Sequence, residues 1–165
     1  MSIITETGTA STASESLSSV SDATAYFLAR GNAAWSALTN EVMEQCLRKA
    51  TDYLEAVYSQ RWAGTRTTST QALSWPRYNV FVNGYVTPSS TIPRAIVNAC
   101  SELALKAAAG ELLADTTQQK IRTKVDVLEV EYDKYSPQSP KFLMIESMLR
   151  PYLCNTSSIE HGLVR

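Results

Sequence analysis

The sequence predicts a mainly α fold: a small bundle of about four helices around a central buried helix, with a short β-hairpin or strand element and extended N- and C-terminal arms. Two segments and the composition carry that expectation. Met43, Cys46, Leu47, Ala50, Tyr53, Leu54 and Val57 recur at steps of three and four, which lays one apolar stripe along a helix. From Ile92 to Ala107 the polar positions become the sparse ones, as they do in a helix buried on most sides. The 165 residues, 44% hydrophobic and 19% charged, suit one globular domain with short appendages. The expected division is an N-terminal arm over 1–20, a helical domain over 21–153 and a C-terminal tail over 154–165.

The arm is dominated by Ser, Thr, Ala and Glu, with Ile3, Ile4 and Leu17 as its apolar anchors. Alone it buries too little surface to offset its ordering entropy, so its own domain or a neighbouring chain must hold it. Ser21 is an N-cap candidate for the first helix, Asp22 suits the positive end of the helix dipole, and Gly31 marks the stop after Arg30. A second helix opens near Thr39 or Asn40 and, at about 1.5 Å per residue, reaches roughly 30 Å. Between Arg61 and Thr91 periodicity disappears, and only Val80 to Val86 has local structure. There Asn83-Gly84 favours the type I′ turn of a tiny hairpin.

Ile92-Pro93 opens the third helix. Its polar stripe is Arg94, Asn98, Glu102 and Lys106, with Glu102 and Lys106 at ion-pair spacing, and its alanines imply close helix–helix approach. Thr123 to Tyr132 is strand-like, but Val125 and Val127 share one face while Leu128, Val130 and Tyr132 share the other. That phase change implies a bulge or a strand covered on both faces. Ser139-Pro140 caps a last helix carrying Phe142, Ile145, Leu149 and Tyr152, interrupted at Pro151.

Few chemistries fit these residues. The single histidine, His161, stands near the C-terminus, a poor place to orient a catalytic imidazole. Cys46, Cys100 and Cys154 are odd in number and widely spaced, which fits free thiols better than disulfides or a zinc site. No Walker loop or GxGxxG occurs, and Asp126, Glu129, Glu131 and Asp133 alternate as a solvated strand face does. No catalytic residue, metal or cofactor is expected. Neither is a membrane span nor a secretory signal. A net charge of −1 counts against a protein living mainly by phosphate contacts.

The feature that points to a partner is the crowding of Tyr53, Tyr58, Arg61, Trp62, Gly64, Arg66, Trp75, Pro76 and Arg77 at and beyond the end of the second helix. Loops carry recognition more often than helices do, and aromatic and arginine side chains dominate contact energetics. Arg61, Trp62, Arg66, Trp75, Arg77 and Tyr78 are therefore the interface candidates, with packing of Trp62 and Trp75 onto the helices as the alternative.

Ile4-Thr5-Glu6-Thr7-Gly8-Thr9, Val20-Ser21-Asp22-Ala23-Thr24-Ala25-Tyr26-Phe27 and Ala29-Arg30-Gly31 resemble the opening of a tailed-phage protein family. The likeness continues through Leu47 to Leu54, Arg61-Trp62-Ala63-Gly64, Gln71-Ala72-Leu73-Ser74-Trp75-Pro76-Arg77, Ile92-Pro93 and Ala99 to Leu105. It covers roughly residues 3–113. These proteins look like head–tail adaptors, also called connector or head-completion proteins, and often carry the label DnaT-like single-stranded-DNA-binding protein.

The resemblance implies a structural virion protein at the neck of a bacteriophage, assembled in the host cytoplasm. It implies a ring of about twelve copies beneath the portal, touching the portal and a tail-terminator, stopper or other neck protein. DNA would pass its channel without specific recognition. On that reading Cys154, Asn155, Ile159, Leu163, Val164 and Arg165 dock on the portal, and the N-terminal arm lies along a neighbour. The alternative is a single-stranded-DNA-binding protein, in which Trp62, Arg66, Trp75, Arg77 and Tyr78 stack bases and hold phosphates.

Overall fold

The structure is a computed structural model that describes residues 2–113 and 142–154, together with the backbone of 123–125 and 128–130. It is helix-rich with short antiparallel strand pairs. Helix α1 spans Val20–Leu28, α2 Ala33–Ser36, α3 Asn40–Tyr58, α4 Arg94–Ala109 and α5 Leu143–Leu149, which runs into a 3₁₀ turn at Arg150–Tyr152. Strand β1 (Thr65–Arg66) pairs with β2 (Arg77–Tyr78), β3 (Phe81–Val82) with β4 (Tyr85–Val86), and β5 (Thr123–Val125) with β6 (Leu128–Val130). No helix among the described residues is long and apolar enough to cross a membrane.

Local chemistry sets most helix ends. The cap of α1 is Ser19 rather than Ser21: its Oγ accepts from the Asp22 N–H at 3.0 Å and donates to the Asp22 carboxylate at 2.6 Å. The helix ends with the Asn32 N–H returning to the Phe27 carbonyl around Gly31. Asn32 then caps α2, an element too short for periodicity to reveal, which places Trp35 against Phe27 with its indole N–H on Thr24. Thr39 caps α3 by accepting from the Val42 N–H. Pro93 stands at the N-cap of α4, not inside its first turn.

Helix α4 packs against α1, α3 and α5. Ile96, Ala99, Cys100, Leu103 and Ala104 are fully buried there against Leu47, Ala50 and Leu54 of α3 and Ile145 and Leu149 of α5. The alanines let the backbones approach. Burial pushes the Cys46 and Cys100 thiols above their usual pKa, as expected of inert core cysteines. Glu102 and Lys106 find other partners than each other: Glu102 accepts from the Tyr26 hydroxyl at 2.9 Å, and the Lys106 ammonium lies 5.3 Å from the Phe142 ring centre.

The N-terminal arm folds back on its own domain, one of the two supports that its polar composition called for. Leu17 is buried, and a polar seam fixes it. The Leu17 N–H donates to Thr51 Oγ1 of α3 at 3.2 Å, and the Ser18 hydroxyl meets that of Ser101 on α4 at 3.0 Å. Glu6 organises the turn ahead of it, accepting from the N–H groups of Gly8, Thr9, Ala10 and Ser11 and from the Ser14 hydroxyl. Burial alone would raise the Glu6 pKa, but those hydrogen bonds outweigh it and hold the carboxyl below its ordinary 4.5.

A pH dependence follows from that sign. A group whose pKa is lowered on folding stabilises above its unfolded value and ceases to as pH falls through the folded one. Acidification below about pH 4.5 is expected to release the arm before the helices melt, read as hydrogen exchange over residues 2–18. In Glu6→Gln the arm should exchange fast at neutral pH and lose this acid step. Unaltered protection in that variant would contradict the role given to Glu6.

Two other expectations change. The strand-like stretch is a hairpin, β5 against β6 with Val125 opposite Leu128, so its phase change marks a reversal of the chain and not a bulge. The last helix begins at Leu143 with Ile145 and Leu149 on its buried face, while the proposed cap at Ser139-Pro140 lies outside the described residues.

Candidate functional site

The aperiodic stretch from Arg61 to Thr91 is ordered by side chains that take over the hydrogen bonding a helix or sheet would provide. Arg77 is nearly buried, donating from Nε to the Ala63 carbonyl at 2.8 Å, from Nη2 to Gly64 at 2.8 Å and from Nη1 to Ser74 at 3.2 Å. Burial presses its pKa downward, and three carbonyl dipoles compensate the charge. Gln71 donates to the carbonyls of Leu73 and Pro76, Arg66 to those of Gln71 and Leu73. Glu55 of α3 anchors the far end by accepting from the Ser74 N–H at 2.8 Å and hydroxyl at 2.6 Å. Gly64, at φ 68°, lies so close to Tyr78 that a Cβ would sit 2.3 Å from its carbonyl oxygen; only glycine fits.

Beneath this loop runs a continuous line of rings. Phe142, Tyr53, Tyr58, Trp62, Trp75 and Tyr152 follow one another with centroid separations of 5.6, 6.5, 5.8, 5.8 and 5.9 Å. Trp62 meets Trp75 edge to face, as Trp75 meets Tyr152, the arrangement that the ring quadrupoles favour. Burial within this line pushes the Tyr58 pKa up to about 12. The chain beyond α5 closes the set: the Ala63 N–H donates to the Tyr152 carbonyl and the Cys154 N–H to that of Arg61.

The loop candidates therefore separate. Trp62, Trp75 and Arg77 are buried and build the loop, so they are not available to a partner. Arg61, Arg66 and Tyr78 are exposed, with Arg61 lying 5.0 Å over the Tyr58 ring. Cys154 is exposed beside Arg61; Asn155, Ile159, Leu163, Val164 and Arg165 lie outside the described residues.

What the loop presents to solvent is the hairpin that follows it. Asn83 and Gly84, at φ 52° and 84°, make the tight turn that Asn-Gly predicts. Phe81 stands opposite Val86 and Val82 opposite Tyr85. Residues directly opposed share a face, so Phe81 and Val86 stand on the outer face and Val82 and Tyr85 on the other, where Val82 packs against the core and Tyr85 stays exposed. Phe81 is 62% exposed, Tyr85 80% and the neighbouring Tyr78 43%. Three large rings are thus held out in water within eight residues of chain, on a strand pair fastened through the buried Val80 and the Thr87-to-Val80 hydrogen bond.

Sequence reasoning identified the hairpin but not its rings as functional residues. A second signal was present and equally missed: no carboxylate occurs between Glu55 and Glu102, whereas Arg61, Arg66, Arg77 and Arg94 all do. The near-neutral total conceals a locally cationic segment. Arg150, exposed in the 3₁₀ turn that β3 packs against, adds to it.

Fold and site together define a helix-rich domain that displays aromatic rings and guanidinium groups from a rigid loop. The family model described as "Putative DnaT-like ssDNA binding protein" matches residues 1–165, and the chain belongs to that family. No curated protein and no solved structure matches it. The family match overturns the expectation of a bacteriophage head–tail adaptor: the family is described by single-stranded DNA, and nothing found indicates a portal, connector or neck protein of a virion. The physical reason lies in the motifs themselves. Trp62 and the Trp75-Pro76-Arg77 run are interior parts of the loop, and Ala63 and Gly64 serve it through their carbonyls, so these motifs report a fold and say nothing of an assembly.

Proposed function

We propose that this protein binds single-stranded DNA, stacking bases on Tyr78, Phe81 and Tyr85 while Arg61, Arg66 and Arg150 face the phosphates. The observation that carries the reading is the exposure of three rings on a segment without carboxylates. Membership of the family supports it. In this reading the bundle of helices around α4 is a scaffold, and the loop from Arg61 to Gln71 and beyond fixes the angle at which the hairpin is offered.

Base–aromatic stacking is tolerant of sequence, because every base has a π-face. With few free cations, phosphate contacts supply less of the affinity than they do in strongly basic proteins. Titrating a fluorescent oligo-dT at low and moderate salt is therefore expected to show binding with a shallow salt slope, about −2 for some three phosphate contacts. A matching duplex should compete poorly, since its bases are already stacked. Absence of binding at low salt, or equal affinity for duplex, would refute the reading.

A further inference from the structure

A second feature lies away from the hairpin, between α1 and α4. A cavity of about 350 Å³ opens there, lined by Asp22, Tyr26 and Arg30 on one wall and Ile92, Arg94 and Asn98 on the other. That volume suits a small ligand. Arg30 is held ready: its guanidinium carbon lies 3.6 Å from the Tyr26 ring centre, and one Nη donates to the Tyr26 carbonyl at 3.0 Å. Tyr26 is itself fixed by its hydroxyl bond to Glu102. Such locking lowers the entropy lost on binding and leaves most of the guanidinium N–H groups for a ligand.

Arg94 faces it from the opposite wall, and neither arginine is ion-paired among the described residues. The one carboxylate in the lining, Asp22, is engaged by the Ser19 hydroxyl. Within the lining two guanidiniums stand against one carboxylate, and Glu102, behind Tyr26, is engaged by the Tyr26 hydroxyl. Guanidinium forks match phosphate oxygens bidentately, and the Arg30 plane laid on Tyr26 is a platform on which a base can stack.

We infer that this groove is a nucleotide-phosphate subsite, in which Arg30 and Arg94 hold one phosphate from opposite walls and Asn98 hydrogen-bonds the attached nucleoside. The phosphate belongs either to a bound strand or to a free nucleotide. Only the first source rests on the single-stranded-DNA reading.

The test follows amide and guanidinium NMR signals of the full chain on addition of inorganic phosphate, dTMP and oligo-dT. It uses wild type, Arg94→Ala, and the double variant Arg30→Ala/Arg94→Ala. Arg94 is exposed, so its single variant keeps the fold even if loss of Arg30 disturbs α1. The expected result is movement of Arg30, Arg94 and Asn98 signals by dTMP, with affinity falling about tenfold in Arg94→Ala. If oligo-dT moves the same signals, the strand supplies the phosphate. If only dTMP does, the groove takes free nucleotides and the strand path is elsewhere. Silence of these three residues toward every ligand overturns the groove, even where oligo-dT still binds through the hairpin.

Discussion

Trp75→Ala is expected to cost about 3–5 kcal/mol of stability, the range for truncating a large buried aromatic. Trp75 is wholly inaccessible and sits edge-on between Trp62 and Tyr152, so its loss leaves a cavity where the loop, α3 and the chain after α5 meet. The neighbouring rings cannot close the gap freely, because Arg77 and Gln71 hold the surrounding carbonyls in place. Urea unfolding followed by circular dichroism would show a lower midpoint at unchanged slope, and Trp75→Phe should lose less. A loss under about 1 kcal/mol would mean that the ring line is not what secures the loop.

The opposite separation is expected at the hairpin. Phe81→Ala combined with Tyr85→Ala should leave the unfolding midpoint within about 0.5 kcal/mol of wild type, since both rings are largely in water already. Affinity for oligo-dT should fall steeply, because stacking contributes roughly 1–3 kcal/mol per base, or about 5- to 150-fold for each ring lost. Trp75→Ala measured well below its melting temperature would weaken binding only as far as it lets the hairpin tilt. Wild-type affinity in the hairpin double variant would remove these rings as the platform and return attention to the arginines.

The helices were readable because their determinants are local. An apolar step of three and four, a Thr at an N-cap and a Gly after the last turn act within a few residues of chain, and α1, α3 and α4 stand close to their expected positions. The two-residue turn at Asn83-Gly84 is local in the same way. Helix α2 was missed because four residues hold no periodicity, and Ser21 was preferred to Ser19 because two adjacent hydroxyl candidates cannot be ranked without the backbone.

The candidate site was less legible. An arginine or tryptophan in a loop has the same sequence signature whether it meets a partner or fills the interior. Arg77 is a structural hub only because three carbonyls from Ala63, Gly64 and Ser74 converge on it. Phe81 and Tyr85, by contrast, stand in the two strands of a hairpin beside valines, as core residues do, and nothing local says that no element covers them.

Sequence alone determined α1, α3 and α4, the turn between β3 and β4, the free thiols of the core and the cationic bias between Glu55 and Glu102. Tertiary structure decided which aromatic and arginine side chains are interior, how Glu6 and Thr51 fasten the polar arm, and that Arg30 and Arg94 share one groove. The division has a physical cause. Backbone conformation answers to neighbours in the chain, whereas burial and charge pairing depend on residues that meet only when the chain has folded.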